Sequence, residues 1–225
     1  MILTDNRLRI KELTMNSTIK IIFISFSLVS LLFSQGKMTE FNIGLLGPTD
    51  AESGFYGGLN LGRMVDENVG VSLGVHVYHS SYTKESRVGE NKDGQIVISE
   101  TATELDQSAT LIPLFFQLHY TGPITNALDL KVTAGVGYEL LWNSITNFEL
   151  EKDGTDFYSG FGWNVGAGVS LPISRASDFY GELFYHGGSP SRDAGKTEEG
   201  FPVRSEIDMG GLGVRIGLRL YTFGL

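Results

Sequence analysis

The sequence predicts an all-β fold: an eight-stranded antiparallel up-and-down transmembrane β-barrel. Three observations lead there. Long alternating segments recur along the chain, longer and shorter links between them rotate in strict order, and glycine is in excess on one face of the segments. The stretch from Leu128 to Trp142, L-D-L-K-V-T-A-G-V-G-Y-E-L-L-W, sets the template. Its even positions are all apolar or aromatic, and its odd positions carry Asp129, Lys131, Thr133, Gly135, Gly137 and Glu139 before Leu141 breaks the rule. A period of two is a strand and not a helix. The phase holds for fifteen residues, where a strand of a soluble domain runs to about 5–6.

The N-terminus comes first. Ile21 to Phe33 is a thirteen-residue apolar run preceded by Lys20 and followed by Ser34-Gln35-Gly36. A basic flank, a short apolar core and small residues at a cleavage point are the layout of a secretory signal, and the run is too short for a spanning helix of about 20 residues. Residues 1–36 are therefore expected to leave as a signal peptide, with Met15 a candidate for the true start. A buried helix is the alternative, but Ser25, Ser27 and Ser30 and the missing amphipathic stripe speak against it. Residues 37–225 would form the barrel domain.

The alternating segments follow in order: Phe41 to Leu45, Phe55 to Met64, Val69 to Tyr78, Ile112 to Tyr120, Leu128 to Trp142, Tyr158 to Leu171, Phe179 to His186, and Leu212 to Leu220. The links are 46–54, 65–68, 79–111, 121–127, 143–157, 172–178 and 187–211, so longer and shorter ones alternate. In a meander, odd links lie at one end and even links at the other. Short periplasmic turns and long extracellular loops are the asymmetry of an outer-membrane barrel, and an even strand count returns both termini to the periplasm.

Inside such a barrel the faces are inverted, apolar toward lipid and polar toward the lumen. The backbone finds no water in lipid, so the sheet must close. Eight strands leave an interior just wide enough for side chains. That accounts for 29 glycines in 225 residues, about twice the usual share of 7%. Gly58, Gly62, Gly70, Gly74, Gly135, Gly137, Gly162, Gly166, Gly168, Gly213 and Gly217 all take the polar phase. Polar substitution at Gly137 is thus expected to be milder than a charge at Val136.

Aromatic placement agrees. Phe55, Tyr138, Trp142, Phe161, Trp163 and Tyr185 fall at long-loop ends of the lipid phase, and Phe41, Tyr120 and Phe179 at short-turn ends. Two girdles at two interfaces are what amphipathic rings prefer. A soluble barrel of the lipocalin or avidin kind would turn the apolar phase inward. It explains neither the girdles, the strand length nor the loop asymmetry.

The formal charge of −9 argues against a nucleic-acid partner, which needs a basic footprint. Without residues 1–36 the chain keeps 13 basic and 24 acidic residues. The sequence holds no cysteine, hence no disulfide framework or thiolate chemistry. The charged residues of the polar phase point to a lumen network of Glu182, Arg215, Arg219, Glu139 and Lys131, extended by Asn164 and His76. Counted from the periplasmic end, Glu182 stands between Arg219 and Arg215 in height. An ion pair there would fill the lumen, because a lone buried charge is costly.

The long loops read as β-ribbons above the membrane, with Lys92-Asp93-Gly94 and Lys152-Asp153-Gly154 as turn signals. Residues 80–109 hold three basic and six acidic side chains, a pattern of a solvated face. A divalent-cation bridge to lipopolysaccharide is the sharper alternative, but no EF-hand spacing occurs and no metal ligand is assigned.

On K-V-T-A-G-V-G-Y-E (131–139), the closing G-L-G-V-R-I-G-L-R-L (211–220) and the eight-segment layout, the chain resembles the small outer-membrane β-barrel proteins of the OmpA/OmpX type, from about residue 38 to 225. The resemblance implies residence in the bacterial outer membrane, contact with outer-membrane lipids and lipopolysaccharide, insertion by the barrel assembly machinery, no cofactor, and a structural or surface-interaction role. It departs at the C-terminus, where Tyr221 and Phe223 are out of phase with Ile216, Leu218 and Leu220. Some barrels of this size deacylate lipid A with a His-x-Ser pair and a downstream Glu. His79-Ser80-Ser81 and His186-Gly187-Gly188-Ser189, the latter followed by Glu198 and Glu199, are the nearest approaches. The second has one residue too many between its His and Ser. No catalytic residue is assigned. A narrow passive pore is the runner-up function, and such acyl hydrolysis a more distant one.

Overall fold

The computed structural model describes residues 36–92, 95–147, 152–196 and 201–221. The expected signal segment up to residue 35, Asp93-Gly94, Glu198, Glu199 and Phe223 lie outside the described residues. Within them the chain is β throughout: β1 (Lys37–Pro48), β2 (Gly54–Met64), β3 (Val69–Lys92), β4 (Gln95–Thr125), β5 (Leu128–Asn147), β6 (Lys152–Ser174), β7 (Ser177–Gly188), β8 (Ser191–Lys196), β9 (Pro202–Glu206) and β10 (Gly211–Leu220).

Eight of these strands make the barrel, in the order β5-β4-β3-β2-β1-β10-β7-β6, and β5 also pairs with β6, so the ring is complete and its first and last strands, β1 and β10, meet at the seam. Every pairing is antiparallel. β8 and β9 form a hairpin inside the last long link and touch the barrel through Ser159 and Ser191.

The side-chain phase is inside-out. On the outer face Val136 is 63% exposed and Leu183 67%, whereas Lys131, Glu139 and Asn164 on the inner phase are 0% exposed. A soluble barrel would reverse these numbers. The aromatic side chains pair across strands on the outer face: Tyr138 with Phe161 at 5.7 Å, Trp142 with Phe157 at 5.2 Å and Trp163 with Tyr185 at 5.5 Å between ring centroids. At the short-turn end Phe41 and Phe179 both flank Leu218, and Tyr120 stands beside Val69.

The long links differ in form from a loop. β3 and β4 stay paired out to Lys92 and Gln95, and β5 and β6 out to Asn147 and Lys152. The expected turn at Lys152-Asp153-Gly154 is therefore corrected: these residues are β6 strand, with Gly154 opposite Ile145. Asp-Gly permits a hairpin turn but does not demand one, and a paired neighbour satisfies the same backbone groups.

Candidate functional site

The lumen is filled in layers, because each strand sends every second residue inward. One ring of residues runs Gly44, Arg215, Glu182, Gly168 and Lys131 across β1, β10, β7, β6 and β5. In it Glu182 accepts from Arg215 Nη2 at 3.0 Å and Nε at 3.2 Å, from Lys131 Nζ at 2.9 Å, and from the Thr133 hydroxyl. Lys131 also lies 3.7 Å from Glu40 Oε1. The Arg215 guanidinium stands 4.8 Å over the Phe184 ring.

Arg219 does not share Glu182. Its Nε donates to Glu40 Oε1 at 2.6 Å and its Nη1 to Thr121 at 2.7 Å. The expected bracketing of Glu182 by two arginines is thus replaced by two carboxylates with Lys131 between them. Register decides this, since Arg215 faces Glu182 directly and Arg219 faces Glu40. Glu40 escapes the sequence reading because the first alternating segment begins at Phe41. Its phase with Asn42 and Gly44 is the signal that points to it.

Glu139 stands apart from that cluster. His186 Nε2 lies 3.0 Å from its carboxylate, both fully buried, and the His186 ring packs 5.9 Å from Phe115. His76 bonds Tyr56 and Asn60 at 2.9 and 3.0 Å. Asn164 is buried without a side-chain hydrogen-bond partner among the described residues.

Glycines make room for these acids, Gly162 and Gly188 for Glu139 and Gly166 for Glu182. A Cβ at Gly162 would fall 1.6 Å from Glu139 Oε1, and one at Gly166 would fall 2.0 Å from Glu182 Oε1. Gly137 is tight for a different reason: its Cβ would lie 1.9 Å from the Leu114 carbonyl oxygen. The expected mildness of substitution there is corrected, since a polar lumen does not help a side chain that meets backbone.

Above Glu139 the lumen turns apolar. Leu46, Tyr56, Tyr78, Leu111, Leu141, Phe184 and Met209 pack into one buried cluster at the long-loop end. Residues 207–210 cross this mouth as a strap. Thr49 N donates to Gly210 O, Asp50 N to Asp208 O, and Met209 N to Gly188 O at 2.9–3.0 Å. Leu141, together with Tyr56, Tyr78 and Phe184 on the polar phase of their own segments, is the legible sign of the cap.

Among the described residues neither histidine-serine sequence forms a hydrolytic pair. His79 points outward and bonds Thr110 at 3.0 Å, while Ser80 beside it points inward and is buried. His186 lies against Glu139 rather than a serine. At the short-turn mouth Tyr221 keeps the inward phase: its amide donates to Ala176 O at 2.9 Å and its hydroxyl to Asp178.

No family model and no curated protein matches the sequence. Among solved structures, a major outer membrane protein from Thermus thermophilus is similar with a TM-score of 0.51 at 15% identity, over 83% of this chain and 99% of that one. The outer membrane protein OprG from Pseudomonas aeruginosa gives 0.47 at 13% identity, over 85% and 97%. Neisserial surface protein A gives 0.45 at 13%, over 83% and 96%. The likeness is one of fold, a closed antiparallel β-barrel of the kind found in that outer membrane protein from Thermus thermophilus.

Proposed function

We propose that this chain is a closed barrel of the Gram-negative outer membrane with a structural or surface-interaction role. The observation that carries this is Glu182, held by Arg215 and Lys131 across the lumen beneath an apolar cap. A lumen of eight strands has little spare section, and an ion cluster that spans it favours a filled interior over a water-filled channel. The cap and strap support the same reading from the other end.

In this reading both termini are periplasmic and the long strands extracellular. Residues 1–36 are an export signal, the apolar belt meets outer-membrane lipid and lipopolysaccharide, and the barrel assembly machinery inserts the chain. The protruding parts of β3 to β6 form a sheet beyond the membrane. Its outer edges run past His79 on β3 and before Ser159 on β6, where barrel pairing stops. Unpaired strand edges accept an extended partner, so this sheet is the surface offered for interaction.

Conductance in planar bilayers tests the closed state. Wild-type protein should show no steady current, and Glu182→Ala should open transient current as Arg215 and Lys131 are stranded and draw in water. Its stability should fall by about 3–5 kcal/mol, the cost of breaking one side of a buried pair. Steady wild-type conductance that Glu182→Ala leaves unchanged would instead make the chain a narrow passive pore.

A further inference from the structure

One chain of hydrogen bonds runs from the charged cluster to the apolar cap, and its middle member titrates. Arg219 donates to Glu40 Oε1 at 2.6 Å, and Asn60 Nδ2 donates to Glu40 Oε2 at 3.2 Å. The Asn60 side-chain oxygen stands 3.0 Å from His76 Nε2, and His76 Nδ1 lies 2.9 Å from the Tyr56 hydroxyl. Tyr56 belongs to the apolar cluster under the strap, its ring 4.9 Å from that of Phe184.

The protons along this chain are fixed from its charged end. An ionised carboxylate only accepts, so Asn60 turns its amide nitrogen to Glu40 and its oxygen to His76. An amide oxygen also only accepts, so His76 carries its proton on Nε2. Nδ1 is then bare and takes the Tyr56 hydroxyl proton. Two glycines seat the pair closely: a Cβ at Gly58 would fall 2.0 Å from His76 Cδ2, and one at Gly74 would fall 2.1 Å from Asn60 Oδ1.

A second proton on His76 meets two penalties. It charges a fully buried ring whose two nitrogens are taken by neutral groups. Around that ring stand Tyr56 and Asn60 on β2, Phe115 on β4, His186 on β7, Arg215 on β10, and Glu40 on β1 behind Asn60. Arg215 and any proton on His186 repel the new charge, and only Glu40 attracts it. The Tyr56 hydroxyl also loses its acceptor, and it has no other partner among the described residues. The carboxylates that act on Tyr56 from further off, Glu139 and Glu182, are engaged by His186 and by Arg215 and Lys131. A buried charge without a partner and a buried donor without an acceptor are both costly. His119 and His186 differ, since each ring faces a carboxylate, Glu40 at 3.7 Å and Glu139 at 3.0 Å.

We infer that His76 is an acid-released latch: protonation at Nδ1 frees Tyr56 and loosens the cap and strap over the long-loop mouth. The sign follows from counting protons. The latched barrel binds no second proton at His76, whereas a loosened mouth lets the ring titrate as an ordinary histidine near about 6.5. The latch therefore holds above that pH and is released progressively below it, by up to about tenfold per pH unit for one proton. The inference rests on the closed barrel proposed above, since a mouth already open has nothing to release.

The chain has no cysteine, so a single Met209→Cys in the folded full-length protein reports the cap without background. Met209 is 0% exposed under the strap. Its labelling rate with dithiodipyridine, divided by that of Gly154→Cys on the protruding part of β6, cancels the pH dependence of the reagent. Below about pH 6.5 the ratio should rise by up to about tenfold per unit. In this background His76→Gln keeps a donor and an acceptor without a titrating ring and should flatten the rise. Tyr56→Phe, which cuts the link to the cap and leaves His76 to titrate, should flatten it too and carries the test if the glutamine variant does not fold. His119→Gln, which touches neither Tyr56 nor the cap, should keep the rise. Nitrogen NMR of the wild type should find the His76 proton on Nε2 at neutral pH. A ratio flat with pH overturns the latch, as does a rise that survives His76→Gln or Tyr56→Phe, or a neutral-pH proton on Nδ1. Steady current in planar bilayers at neutral pH would strike the closed barrel instead, a failure read separately from the labelling.

Discussion

Arg219 on the last barrel strand donates to Glu40 on the first, Nε to Oε1 at 2.6 Å. The two residues face each other in the β1–β10 register, 179 positions apart in sequence. This charged pair therefore sits on the seam that closes the barrel, where chain connectivity offers no help. It also links the seam to Lys131 on the opposite wall, 3.7 Å from Glu40.

Breaking the seam from one side should be costly. Arg219→Leu strands Glu40 in a buried site and should destabilise the folded barrel by about 3–5 kcal/mol. Urea unfolding, read by the loss of the fast-migrating folded band on unheated gels, measures it. Arg219→Leu combined with Glu40→Leu should recover a sizeable part, because the second change removes the uncompensated charge. A double variant worse than the single would show that the pair acts through packing alone.

Val136 tests the outward phase. At the lipid face Val136→Arg should cost about 2–4 kcal/mol, enough to lower the assembled fraction in the membrane. Val136→Phe should assemble normally, since fluid lipid accommodates a larger apolar group. In a packed core the same Phe would overfill the site by about 1–3 kcal/mol. Failure of the Phe variant would mean that Val136 faces protein.

Gly162→Val should be more damaging than its small volume suggests. The Cβ would fall 1.6 Å from the Glu139 carboxylate, so Glu139 would have to leave His186. Overpacking costs about 1–3 kcal/mol, and the broken buried pair adds to it. Gly162→Val with Glu139→Ala should regain stability, which thermal unfolding of the two variants compares directly. Gly154→Val, where a Cβ meets nothing within 4 Å, serves as the control.

Export leaves a simple trace. N-terminal sequencing of the membrane-fraction protein should begin near Ser34–Lys37, as the Ile21–Phe33 run implies. Retention of residues before Met15 would refute the signal.

Much of the lumen can be read from alternation. Lys131, Glu139, Glu182, Arg215 and Arg219 are on the polar phase of their segments, and that phase faces inward. Who pairs with whom cannot be read. Heights counted along a strand ignore the stagger between neighbours, and the stagger assigns Arg219 to Glu40. The strap over the mouth is also illegible, because residues 207–210 have no period and are held by backbone bonds to the β1–β2 turn.

By itself the sequence determined the number of barrel strands, the up-and-down order and the inside-out phase. These follow from local period and link length, and both are properties of short stretches of chain. Tertiary structure decided the rest: the two-carboxylate cluster bridged by Lys131, the separate Glu139–His186 pair and the apolar cap. Each depends on which residues meet across a closed sheet. Closure joins positions as distant as Glu40 and Arg219, and no pattern within one strand carries the register between two.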